Sequence, residues 1–302
     1  MASDADRRRY LLWRSLGTVL EQLPVGFAVK VAEAVGWTIG ARRGPARSIA
    51  EANLRQLVEH GSDEPIDQAV LDRWVRRYVA SYARYWAEGA TLPGLTPGGL
   101  HQAIELVEGR EELDRAMALG RGAIVALPHV GSWEWGGGFL ARIGHPMLAV
   151  AEELEPPELF EWFIAKREAI GLQITPLDRN AGKVLLSTLS DGGLVGLLCD
   201  RDITGDGIEV ELLGRRAKVP AGPATLALRT GAPLLPGVVY SGPGGDHCAH
   251  ILPPLDTERR GRLREDVTRV TQALSDEMSG LIRRRPEQWH VFSDPFVDGT
   301  GQ

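Results

Sequence analysis

The sequence predicts an α/β fold: a central mixed sheet flanked by helices and preceded by an amino-terminal helical region. Three observations lead there. Up to about Gly89 the apolar residues recur at helical spacing. From about 100 to 255, short apolar runs alternate with helical segments, the pattern of an α/β arrangement. Several of those runs are apolar throughout, as strands covered on both faces must be. A Pro/Gly-rich stretch, Leu92-Pro-Gly-Leu-Thr-Pro-Gly-Gly99, separates the two patterns. The expected organisation is a helical, membrane-surface region over 1–95 and an α/β domain over 96–302, together one compact unit.

At the amino terminus, Arg7-Arg8-Arg9 precedes Tyr10-Leu11-Leu12-Trp13 in the manner of a targeting signal. A secretory signal needs an unbroken apolar core, and Arg14 and Glu21 interrupt this one. A spanning helix needs about 20 predominantly apolar residues. Residues 11–39 are long enough, but Arg14, Glu21, Pro24, Lys30 and Glu33 fall among them. Instead, Leu12, Trp13, Leu16, Val19, Leu20 and Leu23 share one helical face, and Val25, Phe27, Val29, Val31, Ala32 and Val35 make a second apolar patch. Helices with one apolar face and flanking Arg or Lys lie in a membrane interface. The same spacing serves core packing, so both readings stand at this point. A third helix is the clearest, with Pro65 near its start and Val70, Leu71, Trp74, Val75, Tyr78, Tyr82, Tyr85 and Trp86 at i, i+3, i+4.

In the α/β part, strands are expected at 123–127, 147–151, 172–175, 194–199, 234–240 and 248–251. Helices are expected near 134–143, 157–170, 181–191 and 221–230. A last amphipathic helix carries Leu263, Val267, Val270, Leu274, Met278 and Leu281, followed by Arg283-Arg-Arg285, Pro286-Glu-Gln-Trp289 and a short Gly-rich tail.

A chain of 302 residues, 43% hydrophobic and 25% charged, has enough apolar material for one large domain or two small ones. Its net charge of −6 argues against a general nucleic-acid binder. Residues 1–60 nevertheless carry about +3 and the remainder about −9, a basic end that suits an anionic lipid surface. The two cysteines, Cys199 and Cys248, form no CxxC pair, which counts against a disulfide framework and a structural zinc site and fits a reducing, cytoplasmic compartment.

The chemistry-bearing segment is His129-Val-Gly-Ser-Trp-Glu134, directly after the buried run Gly122-Ala-Ile-Val-Ala-Leu-Pro128. A His at the carboxyl end of a strand, just before a helix, lies where open α/β sheets place their sites. His is the usual general base near neutral pH, and it needs an acid to fix its tautomer. Two acids are available. Glu134 is close in sequence, and Asp200 ends the apolar strand Gly193-Leu-Val-Gly-Leu-Leu-Cys199. Gly131 and the run Gly136–Gly138 leave room for another chain or an acyl tail to approach the backbone. A G-x-S-x-G elbow and an H-E-x-x-H pair are both missing, which counts against an α/β-hydrolase and a zinc hydrolase. His145, His247, His250 and His290 are read as structural, and no metal is expected.

His129-Val-Gly-Ser-Trp-Glu134 resembles the H-x4-[D/E] motif of the bacterial lipid acyltransferases related to lipid A lauroyl acyltransferase, and more closely that of the actinobacterial phosphatidylinositol mannoside acyltransferases. Four segments extend the resemblance over roughly 80–295: Ala80-Ser-Tyr-Ala-Arg-Tyr-Trp86, Arg167-Glu-Ala-Ile-Gly171, Cys199-Asp200-Arg201-Asp202, and Val210-Glu-Leu-Leu-Gly214 with Pro220-Ala-Gly-Pro-Ala-Thr-Leu-Ala227. The chain departs from the pattern twice, with Glu134 where Asp is usual and Asp200 where Glu is expected. The resemblance implies a glycerol-phosphate-acyltransferase-like fold and His129 as base. It further implies Asp200 as the group that orients the base or relays charge, and Glu134 as a support paired with Arg167. It implies acyl-CoA as co-substrate with no other cofactor, its phosphates held by Arg201, Arg215, Arg216 and Lys218, and Glu152 placed for sugar hydroxyls. The implied acceptor is a glycolipid, a mannose of phosphatidylinositol mannoside, with peripheral contact to anionic membrane at the cytoplasmic face of the plasma membrane. The alternatives are a lauroyl-type transfer to a lipid A precursor and an acyl-thioesterase.

Overall fold

The computed structural model describes residues 4–59, 65–92 and 104–297. The Pro/Gly-rich break, the 95/96 boundary and the Gly-rich tail lie outside the described residues. Four helices come first: α1 (Asp4–Glu21), α2 (Val25–Gly40), α3 (Pro45–Glu59) and α4 (Gln68–Thr91). The helix expected third is therefore the fourth. Pro65 precedes it, and Asp67 caps it by accepting the amides of Ala69 and Val70 at 2.9 and 3.1 Å. The intervening α3 buries Ala50, Leu54 and Leu57 at helical spacing, yet much of it is polar, which hides it from a reading of apolar periodicity. At Gly36, where α2 crosses α4, an added Cβ would sit 2.7 Å from Ala80 Cα, so only glycine permits this approach.

The α/β part runs β1 (Ile104–Glu108), α5 (Arg110–Ala118), β2 (Ala123–Leu127), α6 (Trp133–Arg142), β3 (Met147–Ala151), α7 (Pro157–Ala169), β4 (Gln173–Pro176), α8 (Ala181–Ser190) and β5 (Leu194–Leu198). It continues with the strands β6 (Ile208–Leu212) and β7 (Arg215–Val219), then α9 (Gly222–Thr230), β8 (Leu234–Ser241), β9 (His247–Ile251) and α10 (Leu263–Arg284). The main sheet is seven-stranded and mixed, in the order β1-β9-β8-β2-β5-β3-β4. β8, β2, β5, β3 and β4 run parallel, while β9 opposes β8 and pairs parallel with β1. Alternate residues of β2 serve both faces. Ile124 and Ala126 join Leu185, Leu189 and the α9–α10 side chains, whereas Ala123, Val125 and Leu127 join Leu113, Phe139 and Leu140. Double coverage explains why this strand is apolar throughout.

The hairpin β6–β7 and the strand β1 extend what the sequence showed. The β6–β7 turn is Leu213-Gly214, with φ of 58° and 86°. Two-residue hairpin turns of this kind usually announce themselves as Asn-Gly or Asp-Gly. Here Leu213 adopts the strained conformation because its side chain is buried and its amide donates to Ser279 Oγ at 2.8 Å.

α1 and α2 divide their apolar residues between two environments. Trp13 turns inward against Trp86 and Phe163, with centroids 5.0 and 6.3 Å away. Leu12, Leu16 and Val19 face outward, Leu12 being 69% exposed, and Phe27, Val31, Val35 and Ile39 do the same on α2. No helix among the described residues is long and apolar enough to cross a membrane.

Candidate active site

Strand register sets up the site. β2 and β5 pair in parallel with Leu127 opposite Leu198, so two residues beyond each strand His129 and Asp200 emerge side by side. The Asp200 Oδ1 atom lies 2.5 Å from His129 Nδ1, and Oδ2 accepts the His129 backbone N–H at 2.9 Å. Trp289 Nε1 also donates to Oδ2, at 2.7 Å. Burial alone would raise the Asp200 pKa. The adjacent His129 imidazole and these three hydrogen bonds outweigh that, holding the carboxyl below its usual range. An ionised Asp200 keeps the proton on Nδ1 and leaves the Nε2 lone pair of His129 as the acceptor.

The loop that carries His129 is fastened on both sides. Gly131 has φ of 62°, and a Cβ there would come within 1.9 Å of Val239 O. Ser132 N donates to Val239 O, Gly131 N to Gln288 O and His290 N to His129 O, at 3.1, 3.0 and 2.7 Å. The segment 288–291 is in turn held by α3 and α4, since Asn53 Nδ2 and the Tyr78 hydroxyl both donate to Val291 O. The amino-terminal helices thereby reach the base through one intermediate strap of backbone.

Glu134 lies in the first turn of α6, and its partners are not the imidazole. Its Oε1 accepts from the Tyr85 hydroxyl at 2.8 Å and from Arg167 Nη2 at 3.1 Å. Arg167 also stands over the Trp133 ring, 5.0 Å from its centroid. Burial works against its charge, but Glu134 more than compensates and raises its pKa. Of the two acids left open by the sequence, the structure puts Asp200 on the base and Glu134 on Arg167.

A cleft of about 570 Å³ opens beside this pair, within the size range of small-molecule sites. His129, Glu152, Arg167 and Arg201 line it together with aliphatic residues such as Val150, Leu185, Leu197 and Leu226. Arg201 Nη2 donates to Glu152 Oε2 at 3.2 Å across its rim. Three of the expected phosphate ligands are not among the residues that line this cleft. Arg215, Arg216 and Lys218 lie on β7 and do not line the cleft. Arg215 stacks on Phe296 at 4.6 Å, and Arg216 pairs with Glu209. At Gly136 and Gly137 it is another part of the protein, not an acyl tail, that makes the close approach expected of the glycine run. A Cβ at Gly136 would strike Val239, and one at Gly137 would strike Leu172, so the protein itself fills that space.

The chain matches the model of the bacterial lipid A biosynthesis acyltransferases over residues 7–296. The chain belongs to that family. It is 36% identical over 262 residues to the phosphatidylinositol mannoside acyltransferase of Mycolicibacterium smegmatis, covering 85% of this chain and 83% of that protein. It is 33% identical over 285 residues to the protein of the same name from Mycobacterium tuberculosis, covering 88% of each. The chain is thus a lipid acyltransferase, and the cleft beside His129 is where its fold gathers polar groups around an apolar trough.

Two residues around this candidate site are not singled out by the sequence. A buried Trp indole N–H requires an acceptor, so Trp289 in Pro286-Glu-Gln-Trp289 is the one signal there that points to a buried carboxylate. His290, expected to be purely structural, lines the cleft, is held by Ser81 Oγ at 2.9 Å and packs between Tyr82 and Tyr85. Burial, with the His129 imidazole nearby, pushes its pKa down to about 3. The imidazole is thus neutral when folded but gains a proton below about pH 6.5 when unfolded. Stability linked to His290 is complete above that unfolded value and declines as pH falls towards 3. Between pH 6.5 and 5 the loss is expected to be about 2 kcal/mol. Urea titrations at the two pH values should show it in the wild type and not in His290→Gln; equal losses in both would refute the assignment.

Proposed function

We propose that the enzyme moves a fatty acyl chain from acyl-CoA to a mannose hydroxyl of a phosphatidylinositol mannoside, with His129 as general base. The observation that carries this is the His129–Asp200 pair at the wall of an apolar cleft, with Nε2 unencumbered by the carboxylate. The acceptor hydroxyl gives its proton to Nε2 as its oxygen attacks the thioester carbonyl. The tetrahedral intermediate then expels the CoA sulfur, which takes the proton from the imidazolium, and an ester remains. Asp200 stabilises the imidazolium between the two steps, and holding both substrates in one cleft lowers the entropic cost of their encounter. Arg201 and Glu152 at the rim are the groups assigned to donor phosphate and sugar hydroxyl. The Glu134–Arg167–Tyr85 cluster props the start of α6. The acceptor assignment rests on the names of the two mycobacterial relatives.

The outward apolar faces of α1 and α2, with Arg7, Arg8, Arg14 and Lys30 among them, are taken to rest on anionic lipid at the cytoplasmic face of the plasma membrane. The test of the reaction is free-thiol release from palmitoyl-CoA with and without a mannosylated phosphatidylinositol. Release that requires the acceptor and yields an acylated glycolipid by mass spectrometry is expected. Release to water at the same rate without acceptor would make the protein a thioesterase.

A further inference from the structure

A second polar site lies among α2, α3 and α4, and it shares no lining residue with the catalytic cleft. It is a hollow of about 490 Å³ into which Arg43, Arg47 and Arg76 converge from three different segments. Two carboxylates also border it, but both are already matched. Asp72 binds Arg47 and accepts from Gln68 at 3.2 Å. Glu51 accepts from Gln68 at 3.1 Å and pairs with Arg55 at 3.4 Å. Arg47 also donates to Gly40 O, satisfying the carboxyl end of α2. Among the described residues neither Arg43 nor Arg76 is within ion-pair distance of a carboxylate; Arg76 adds its field to that of Arg47 at Asp72 and lies over the Trp37 ring, 5.7 Å from its centroid. Three arginines thus line the hollow against two carboxylates, which leaves an excess of one positive charge in a concave site.

The position of the hollow indicates what such a charge would meet. It sits at the carboxyl end of α2, the helix whose Phe27, Val31, Val35 and Ile39 form the outward apolar stripe. A phospholipid has that arrangement of chemistry, with an anionic phosphate beside long apolar chains. Guanidinium groups are suited to phosphate because their planar fork makes two parallel hydrogen bonds. We propose that this hollow binds the headgroup phosphate of an anionic phospholipid and anchors α2 on the bilayer. The proposal rests on the membrane reading above and adds to it a discrete headgroup site away from the catalytic cleft.

Co-sedimentation of the full chain with vesicles tests it, using phosphatidylcholine with and without phosphatidylglycerol. The wild type is expected to prefer the anionic vesicles. The Arg43→Gln/Arg76→Gln variant is expected to lose about 25-fold in partitioning, from roughly fivefold per basic residue at an anionic surface. Ser48→Gln narrows the hollow without changing its charge and is expected to lose at least about fivefold. Diffuse attraction to the surface would leave Ser48→Gln unaffected, and that result overturns the pocket. So does wild-type partitioning by the double arginine variant. Millimolar inorganic phosphate that raises the wild-type melting temperature without vesicles, and not that of the arginine variant, would place a soluble phosphate there and overturn the lipid assignment. A wild type that ignores both kinds of vesicle would instead remove the membrane reading itself.

Discussion

Replacing His129 with Ala is expected to lower kcat for acyl transfer about 10³-fold with little change in KM for acyl-CoA. In the proposed mechanism the imidazole acts only while the acceptor oxygen attacks, so its removal should raise the barrier by about 4 kcal/mol without loosening the bound thioester. The fold should survive. Asp200 keeps two of its hydrogen-bond donors, the backbone amide at 129 and Trp289 Nε1. A melting curve on the same preparation separates loss of the base from loss of structure. Turnover within tenfold of the wild type would remove His129 from the reaction.

The second large effect concerns Asp200→Asn, which preserves shape and removes only charge. Oδ2 of Asp200 accepts two N–H groups, from the His129 backbone and from Trp289. An asparagine must therefore keep its oxygen at that position, turning its NH₂ towards His129 Nδ1. The imidazole can answer only by moving its proton to Nε2, the atom that should receive the proton of the substrate. A loss of about 10³-fold in kcat is expected, with the fold intact. Nitrogen-15 spectra of the histidine ring provide a check independent of rate, and should show the proton on Nδ1 in the wild type and on Nε2 in the variant. A fully active variant would mean that the carboxylate charge is dispensable. Glu134→Gln offers the contrast. Glu134 holds Tyr85 and Arg167 rather than the base, so the tautomer of His129 should not change.

Much of the sheet is legible in the sequence, and the elements that are not share a cause. β2 and β3 occupy the expected residues because both faces are covered, which forces a continuous apolar run. β1 leaves no such run because it is an edge strand with Glu105, Val107 and Glu108 exposed. The helix α5 is hidden for a related reason: only Leu113 and Ala116 are buried along it. The hairpin gives no turn signal because Leu213 takes a conformation that its neighbours stabilise and its own side chain does not favour. Elements whose stability comes from burial are written in composition. Those held by edges, turns or distant partners are not.

The same division runs through the site. A histidine at the end of an apolar strand, followed by glycine and a helix, is a local pattern, and the sequence alone marks His129 as the candidate base, several of the strands and helices around it, and the family to which the chain belongs. Which acid lies beside it is visible only in three dimensions. Glu134 is five residues away yet lies on a helix whose first turn aims it at Arg167, while Asp200 is seventy-one residues away and adjacent because β2 and β5 are hydrogen-bonded in register. Trp289, which holds that carboxylate from still further along the chain, and the three basic residues of β7, which fall outside the cleft, follow the same rule. Sequence separation measures distance along a chain, and proton transfer depends on distance in space.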